Sequence, residues 1–564
     1  MITKTNTFKL NGINAVPVTV ECEITTGLGI HLVGLADTAV KESLLRTITA
    51  IQSLGYRIPG KKVVINLAPA DLRKGGSGYD LPIALGILAA SGQEKLPDLD
   101  KYVLAGELGL DGSLRDIPGW MQAAELASKT GKCCILPTES AKLAARALQG
   151  SATVYGADNI KEVIDILNDG APDWTALDVA ENCDEPYEQA LEHRRNWWDT
   201  TPGHASEKRA LEIAAAGGHP VLMIGAPGSE KKALAQALLD ILPPMTEGET
   251  MDVQRIYSAA DCRNIPGERP IRSVYSIPSL AALVGGGYGN NLNPGMASLA
   301  HNGILYIDQL AEMPKSILEA LRGPLEDGKV VLSRLRSKVE YPTKFFPVFA
   351  TNPCPCGYWG EGDKCTCTKG QREAYLAHLS GPVFDRLTMQ IFTHTQKPGA
   401  VPGEPSATVA ERVKKARERQ MARQGKLNDG LTRESLETVC RLDEECSTLM
   451  ENLFSRLGLS ARAYTRILKI ARTIADLDGT EAIMPKHLAE AFSYRFLDRR
   501  EMAGIQVGDT VHWNDEAGTD ENGKKIEFKV TDEENGYFNL SYGKDDPNPE
   551  RWAFRDEVNL VYAH

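Results

Sequence analysis

The residues of this 564-residue chain that are best placed to do chemistry lie in a glycine-rich turn. The turn, GAPGSEKK at 225–232, follows the apolar run VLMIG and precedes the helical run ALAQALL. A phosphate-binding loop reads G-x-x-x-x-G-K-[ST], with backbone N–H groups around the phosphates and a lysine that reaches them. The spacing of Gly225, Gly228 and Lys231 therefore predicts a nucleotide phosphate site.

Two positions of this turn depart from the pattern. Glu230 replaces the last glycine, where the backbone approaches the phosphates, and a carboxylate there repels them. Lys232 replaces the serine or threonine whose hydroxyl binds Mg²⁺. An ammonium group cannot ligate a cation, although it can supply part of the charge that the ion brings. We therefore expect ATP binding to be weakened or lost, and Mg²⁺ binding to be compromised.

A second apolar run, GILYIDQL at 303–310, has the pattern of a strand that carries acidic residues into such a site. Asp308 is a candidate partner of Mg²⁺, whereas Gln309 stands where a glutamate would polarise the attacking water. An amide is not a base, so the pattern predicts impaired hydrolysis and leaves open whether the protein is an ATPase. A plain strand-to-helix connection is the alternative interpretation of the turn alone. The residues expected at the nucleotide are Gly225, Gly228, Ser229, Lys231, Lys232 and Asp308.

Composition limits the class of protein. With 42% hydrophobic and 24% charged residues, the chain has the make-up of a soluble globular protein of three or four domains. Its formal net charge of -12 indicates that any contact with nucleic acid is local. No apolar run approaches the ~20 residues of a membrane span, and the N-terminus has no signal-peptide core. We therefore expect a cytoplasmic protein with no membrane partner.

Four of the eleven cysteines form the pattern C-x-C-x8-C-x-C in a glycine-rich segment. Four thiolates suit tetrahedral Zn²⁺, and four protein ligands leave no open position for catalysis. Four unligated thiols are the alternative, and we favour a structural zinc ion. The expected ligands are Cys354, Cys356, Cys365 and Cys367.

Several motifs, in order along residues 1 to about 500, resemble the YifB/ComM group of magnesium-chelatase-like AAA+ proteins. They are APADLRKGGSGYDLPIALGILAASG at 68–92, RALEIAAAGGH at 209–219, LAHNG at 299–303 and SARAYTRILKIARTIADL at 460–477. The resemblance implies an α/β multidomain fold. Its parts are a Lon-protease-like N-terminal α/β domain of ChlI type at 1–165, a linker at 166–200, an AAA+ P-loop αβα core at 201–397 and a helical lid at 398–502.

Two segments qualify this resemblance. Lon-type peptidases carry a serine in a K-D-G-P-S-A-G turn, whereas the alignment here places Gly78 at the nucleophile and Ser77 one position away, so we expect no peptidase activity. Residues 503–564 extend past the resemblance, and their short alternating runs predict a small SH3-like β-barrel whose ligand is unknown.

The resemblance also implies roles for residues outside the turn. Asn352 stands at the sensor that orients the lytic water, Arg386 at the arginine finger that reaches a neighbour's γ-phosphate, and Arg462 at the sensor of the lid. An ordinary salt bridge is the alternative for each arginine. The family writes R-P-F-R-x-P-H-H where this chain has RPIRSVYS at 269–276, so Tyr275 and Ser276 replace its paired histidines.

A candidate DNA contact lies in the run KVVLSRLRSKVEY at 329–341, which predicts a hairpin. Its alternation places Arg334, Arg336 and Lys338 on one face of a strand. The related proteins use this hairpin near a central pore, so contact with DNA phosphates is one interpretation. A solvated strand face is the other, and the spacing does not choose between them.

These features lead to a functional hypothesis with two rivals. We expect a ring-forming, DNA-processing-related pseudo-ATPase whose partners are copies of itself in a hexameric ring, or an active paralogue, and DNA. An active ATP-dependent DNA translocase, or branch-migration helicase, is the alternative. A magnesium-chelatase-type ATPase subunit is a weaker one, because the chain lacks the partner domains that this reaction uses.

Overall fold

The structure, a computed structural model, describes most of the chain up to residue 497 and five strands beyond it. The described residues are 2–149, 151–169, 196–275, 278–288, 291–334, 337–361, 364–379, 386–396, 399–457, 460–495 and 497, with 510–513, 527–534, 537–541, 551–554 and 558–562. They fall into two units, Met1–Leu431 with Asp476–Gly479, and Thr432–Ala475 with Thr480–His564. In the part of the chain so described, no helix is long and apolar enough to cross a membrane.

The N-terminal part of the first unit is built on a seven-stranded sheet of order β3-β4-β2-β1-β5-β8-β9. The pairs β1–β2 and β2–β4 are antiparallel and the other pairs are parallel. The elements are β1 (Thr3–Asn11), β2 (Asn14–Thr25), β3 (Ile30–Val33), α1 (Thr38–Ser53), β4 (Lys62–Ala68), α2 (Asp80–Ser91), β5 (Tyr102–Leu104), β6 (Glu107–Leu108), β7 (Leu114–Arg115), α3 (Trp120–Lys129), β8 (Cys133–Pro137), α4 (Thr138–Leu148), β9 (Val154–Ala157) and α5 (Ile160–Asp169).

Helix α2 is apolar on all sides, and it is buried from Asp80 to Leu88. A helix of this composition has no solvent face, so it must lie between other layers. Gly86 sets how closely α2 approaches β2, since a Cβ atom at this position would lie 2.6 Å from the Sγ atom of Cys22. Cys22 is itself fully buried in β2, within the core of this sheet.

We expect Gly86→Ala to destabilise the protein, because overpacking costs about 1–3 kcal/mol while alanine returns at most about 1 kcal/mol of helix propensity. Removal of the opposing sulfur in the double variant Gly86→Ala/Cys22→Ala should recover most of the loss. Urea denaturation followed by tryptophan fluorescence measures both effects. Gly60→Ala is the matched control, since a Cβ atom there meets nothing within 4 Å. Equal midpoints for Gly86→Ala and Gly60→Ala would show that this contact is not tight.

The central part of the first unit is built on a parallel five-stranded sheet of order β11-β14-β17-β10-β18. Strands β10 and β14 are buried along their whole length, as expected for a sheet covered on both faces. The elements are α6 (Trp197–Thr200), α7 (Ala205–Gly217), β10 (Val221–Gly225), α8 (Lys231–Ile241), α9 (Glu247–Ala259), β11 (Ile271–Val274), α10 (Leu280–Val284), β12 (Gly285–Tyr288), β13 (Asn291–Pro294), α11 (Met296–Leu299), β14 (Ile304–Ile307), α12 (Lys315–Ala320), α13 (Arg322–Asp327), β15 (Lys329–Arg334), β16 (Ser337–Pro342), β17 (Phe346–Thr351), α14 (Lys369–Ala377) and β18 (Met389–Thr393).

The predicted hairpin is present as β15 and β16, but its turn corrects one prediction. Ser333 pairs with Lys338 and Arg334 pairs with Ser337, so Arg334 and Lys338 lie on different strands in successive pairs. Arg336 lies outside the described residues. The prediction that these three residues share one face of a strand is therefore wrong, because the alternation of residue types continues through the turn.

Helix α15 (Ser406–Gln424) completes the helical cover of the first unit. The Nε atom of Arg417 donates to the carbonyl oxygen of Ala215, and the Nε2 atom of Gln420 donates to that of Ala216. Helix α15 therefore supplies hydrogen-bond donors to two backbone carbonyl groups in the last turn of α7. The described residues of the second unit include four more helices, with α17 packed on α19. These are α16 (Arg433–Val439), α17 (Glu444–Leu457), α18 (Ala461–Asp478) and α19 (Pro485–Ser493), and the last three residues of α18 belong to the first unit.

Five strands are present among the tail residues that the structure describes, as the alternating runs predict. They form an antiparallel sheet of order β22-β21-β20-β19-β23. Their bounds are β19 (Thr510–Trp513), β20 (Glu527–Glu534), β21 (Tyr537–Ser541), β22 (Arg551–Phe554) and β23 (Val558–Tyr562). Closure of this sheet into an SH3-like barrel stays a prediction.

Candidate nucleotide site

The glycine turn leaves the carboxyl end of β10 and enters α8 at Lys231. Gly225 cannot carry a side chain, because a Cβ atom there would collide with the hydroxyl and the carbonyl oxygen of Thr393. Gly228 has a φ of 87°, in the left-handed region that favours glycine. The two glycines of the motif are therefore required by the path of the chain, and they bring the turn to the edge where β14 and β17 also end.

Lys231 points into the turn from the first residue of α8. Its Nζ atom donates to the carbonyl oxygens of Gly225 at 2.7 Å and Ala226 at 3.0 Å, and it lies 3.5 Å from the Oγ atom of Ser229. Burial lowers the pKa of Lys231, and the carboxylate of Asp308 acts in the opposite direction. The side chain thus holds a buried cation inside the turn, where a phosphate oxygen can replace the carbonyl groups.

Ser229 holds the turn to the sheet instead of facing a ligand. Its buried hydroxyl donates to the carbonyl oxygen of Ala226 at 2.8 Å and lies 2.9 Å from the hydroxyl of Thr393 in β18. The role of Ser229 that the structure supports is therefore to fix the shape of the turn.

Glu230 adopts the backbone conformation of the glycine that it replaces, with φ 54° and ψ 25°. A left-handed residue other than glycine costs about 1–2 kcal/mol. The Oε2 atom of Glu230 lies 2.9 Å from the Nε2 atom of His204, which precedes α7. The carboxylate that we expected to oppose the phosphates is thus paired within the protein.

The imidazole of His204 is buried and faces a second carboxylate. Its Nδ1 atom lies 3.5 Å from Glu207, a buried residue that also accepts the backbone N–H of His394 at 3.1 Å. Burial opposes the protonation of His204, but the carboxylates of Glu207 and Glu230 outweigh it and raise the pKa of His204. Despite its burial, Glu207 has its pKa held well below the usual range by the two histidines. The imidazole of His204 thus lies between two carboxylates that favour its protonated form.

The sequence did not point to His204 or Glu207 as part of this site. They come from the start of α7, well before the turn, and neither belongs to the phosphate-loop pattern. The left-handed backbone that Glu230 needs is the one local signal that its carboxylate requires a partner.

Asp308 and Gln309 follow β14, the strand between β11 and β17. The Oδ1 atom of Asp308 accepts the backbone N–H of Gln309 at 2.9 Å, and the backbone N–H of Asp308 donates to the carbonyl oxygen of Val274. Gln309 is exposed and left-handed, with a φ of 53°. The position expected for the catalytic base thus carries a neutral amide beside the turn.

Lys232 lies next to Lys231 but does not share its surroundings. It is exposed, and its Nζ atom lies 4.8 Å from the ring centroid of Tyr275, the residue after β11. The ring of Tyr275 in turn lies 6.4 Å from the buried ring of Tyr306 in β14. The ammonium group is thus held by an aromatic face at the edge of the same sheet.

The three residues with implied roles in hydrolysis lie in different places. Asn352 follows β17, which pairs with both β10 and β14, so it ends at the edge that carries the turn. Arg386 forms an ion pair with Glu326, with 2.9 Å between Nη2 and Oε1, as in the salt-bridge alternative. Arg462 lies in α18, in the second unit.

The four cysteines of the C-x-C-x8-C-x-C pattern come together, with their Sγ atoms all within 4.8 Å of one another. The Sγ atom of Cys354 lies 3.3 Å from that of Cys356 and 3.8 Å from that of Cys365. The Sγ atoms of Cys356 and Cys365 are 3.7 Å apart. Sulfur atoms about 3.8 Å apart are what tetrahedral zinc with ~2.3 Å Zn–S bonds requires. These residues therefore fit a structural zinc ion.

The cysteine loop packs directly on the glycine turn. Gly357, which follows Cys356, has a φ of 87°, and a Cβ atom there would lie 3.0 Å from the Cδ atom of Pro227 and 3.8 Å from the Cγ atom of Asn352. The segment that the cysteines close therefore supports both the turn and the residue that stands at the sensor position.

A parallel sheet with a glycine turn and a buried lysine at its carboxyl edge defines a P-loop protein whose core is AAA+-like. Residues 198–401 match the family described as magnesium chelatase, subunit ChlI. Residues 20–140 match subunit ChlI of Mg-chelatase, and residues 403–495 match the C-terminal part of that subunit.

Curated relatives cover most of the chain. It is 42% identical over 497 residues to YifB of Escherichia coli, which is 86% of this chain and 96% of YifB. It is 38% identical over 500 residues to the competence protein ComM of Haemophilus influenzae, which is 86% of this chain and 96% of ComM. It is 33% identical over 501 residues, 86% of this chain and 97% of the relative, to an uncharacterized protein of Mycobacterium tuberculosis. The chain belongs to the YifB/ComM family of magnesium-chelatase-like proteins.

We expect the protein to lose stability as the pH rises through the raised pKa of His204. The stability that protonation of His204 contributes is fully present below the ordinary histidine pKa of about 6.5. It is lost as the pH rises through the higher pKa of His204 in the folded protein. Thermal unfolding at about pH 6 and about pH 9 measures the difference, and His204→Gln should reduce it. The control is His378→Gln, at an exposed histidine. An unchanged pH dependence in His204→Gln would contradict a charged His204.

Proposed function

We propose that this protein is a ring-forming, DNA-processing-related pseudo-ATPase that binds nucleotide weakly and hydrolyses ATP poorly. The observation that carries the proposal is Gln309, which occupies the place of the base beside Asp308 at the end of β14. An amide cannot take a proton from the attacking water, and such a base contributes about 10²–10⁴-fold to a rate. Glu230 and Lys232 add two departures on the phosphate side of the same site.

Assembly into a ring, with copies of this chain or with an active paralogue, is the second part of the proposal. AAA+ proteins commonly oligomerise, and in a ring Arg386 is the candidate finger for a neighbour's nucleotide once its ion pair with Glu326 opens. Residues 398–502 are the proposed lid, with Arg462 as its sensor.

A role in DNA processing, in the cytoplasm, is supported by one relative that is named a competence protein. Arg334 and Lys338 of the β15–β16 hairpin are the proposed phosphate contacts among the described residues. The SH3-like tail at 503–564 is the proposed binding module for a ligand that is still to be identified.

An active ATP-dependent DNA translocase is the second candidate function. It is favoured by the buried Lys231 inside the turn and by Asn352 at the same edge of the sheet, since both are retained from a working site. A magnesium-chelatase-type ATPase subunit is supported by the family match alone.

We expect the natural protein to show background ATP turnover, with or without single-stranded DNA. The triple variant Glu230→Gly/Lys232→Thr/Gln309→Glu restores the glycine, the Mg²⁺-binding hydroxyl and the base, and it should gain about 10²-fold or more. Steady-state phosphate release measures both proteins.

The control is Glu230→Gly/Lys232→Thr/Gln309→Asn, which differs from the first triple variant only at position 309. Its ATP turnover should stay near background because asparagine, like glutamine, is an amide. DNA-stimulated turnover by the natural protein would reject the pseudo-ATPase in favour of the translocase.

For the cysteine cluster, we propose one structural Zn²⁺ ion held by Cys354, Cys356, Cys365 and Cys367. The ion closes the loop that rests on the glycine turn, so its loss should loosen both. Cys365→Ser is expected to abolish stoichiometric zinc and to speed amide hydrogen exchange over residues 225–232. Elemental analysis and exchange mass spectrometry measure these effects. Cys262→Ser is the control outside the cluster, and a zinc-free natural protein with slow exchange would refute the proposal.

A further inference from the structure

Membership of this family implies that the protein uses ATP together with Mg²⁺. The residues at the turn, however, do not fit this metal ion. Mg²⁺ requires oxygen ligands in near-octahedral geometry. Lys232 presents an ammonium group where a hydroxyl is needed, and one of the two carboxylate oxygens of Asp308 is engaged by the backbone of Gln309. The carboxylate of Glu230, the other acid in the turn, is paired with His204.

Two departures from the family pattern are in contact with each other. Lys232 stands in place of the serine or threonine, and Tyr275 stands in place of the first paired histidine. They are distant in sequence, yet the Nζ atom of Lys232 lies 4.8 Å from the ring centroid of Tyr275. A cation over the face of a tyrosine ring is attracted by the negative potential of that face.

The aromatic platform is fixed by the sheet. Val274, the residue before Tyr275, pairs with Ile307 of β14, and Tyr306 of that strand is fully buried. The ring of Tyr275 is tilted against that of Tyr306, with 6.4 Å between the centroids. The backbone pairing before Tyr275 and the contact of its ring with Tyr306 place the platform at the edge of the sheet where the turn lies.

Two positive side chains also lie where the turn enters α8. Lys231 lies inside the turn and Lys232 lies on the ring of Tyr275, so two ammonium groups follow one another at the start of α8. The carboxylate of Glu230 lies 2.9 Å from the imidazole of His204, and the Oδ1 atom of Asp308 accepts the backbone N–H of Gln309. Two lysines and the first turn of a helix together attract a polyphosphate.

We propose that the ammonium group of Lys232, held by the ring of Tyr275, takes over the charge-neutralising role of Mg²⁺, so that this site binds nucleoside di- or triphosphates in their metal-free form. An ammonium group is a compact point charge with three donors, which suits phosphate oxygens. It cannot template octahedral coordination, so nucleotide is held without an assembled hydrolytic centre. This inference rests on the proposed nucleotide binding.

The test is isothermal titration of the full-length protein with ATP and with ADP, in metal-depleted buffer and in the same buffer with Mg²⁺. Metal ions are removed from the buffer with a chelating resin before the protein is added. No soluble chelator is used, because it would also remove zinc from the proposed site in the cysteine cluster. The natural protein is expected to have affinities within about twofold of each other in the two buffers.

Lys232→Thr converts the position to a Mg²⁺-binding hydroxyl. It is expected to bind nucleotide about tenfold or more weakly in metal-depleted buffer and to regain affinity when Mg²⁺ is added. Tyr275→Leu removes the platform and should weaken metal-free binding about twofold or more, whereas Tyr275→Phe keeps the ring face and should weaken it less than Tyr275→Leu does. Lys414→Thr, at an exposed lysine, is the control for loss of charge.

The outcomes separate this inference from the proposed function. An affinity of the natural protein that rises tenfold or more with Mg²⁺ overturns the inference and leaves nucleotide binding in place. Equal metal-free affinities of the natural protein and Lys232→Thr also overturn it. Absence of binding in both buffers overturns the inference together with the nucleotide-binding part of the proposed function.

Discussion

The turn between β10 and α8 depends on a left-handed backbone at its sixth residue, whatever side chain stands there. Glycine adopts this conformation freely, whereas Glu230 adopts it at a cost of about 1–2 kcal/mol. The protein keeps the turn because the residues around it fix the path of the chain. Gly225 is packed against Thr393, Ser229 is bonded to β18, and the carboxylate of Glu230 is paired with His204. The shape of a phosphate loop has thus been retained with a different set of charges.

Each replaced residue of the turn is matched by a partner from another element. His204 faces Glu230 from the residue before α7, and Glu207 faces His204 from the first turn of that helix. Tyr275 faces Lys232 from the end of β11. The contact with Glu230 gives the buried ring of His204 a polar partner, and the contact with Tyr275 gives the exposed ammonium group of Lys232 an aromatic face. The altered residues belong to a site with its own internal contacts and not to a disordered remnant of one.

The cysteine loop connects the same turn to a second structural element. Cys354 and Cys356 follow β17 two and four residues after Asn352, and Gly357 rests on Pro227. A rigid loop at this place limits how far the turn can move away from Asn352. Order in the cysteine loop and the geometry of the nucleotide site are therefore linked through van der Waals contact, without any shared ligand.

Local pattern was enough to predict many elements from the sequence. The apolar runs of β10, β14 and β17, the small-residue helix α2 and the five strands of the tail follow from periodicity, and the glycines of the turn follow from spacing. The sequence also determined which residues stand at the positions of the base and the Mg²⁺ hydroxyl, since these are defined by order along the chain. Such features depend on neighbours within a few residues, and the sequence contains those neighbours directly.

Only the tertiary structure decided which distant residues meet. The β15–β16 hairpin was predicted, but Arg334 and Lys338 were wrongly placed on one strand, because the alternation of residue types runs on from β15 into β16 and only the hydrogen-bond register separates the two strands. The contacts of His204 with Glu230, of Tyr275 with Lys232 and of Gly357 with Pro227 join residues from separate elements at one edge of a parallel sheet. The physical reason is that a parallel sheet brings the carboxyl ends of its strands together regardless of their separation along the chain, and no local pattern records that neighbourhood.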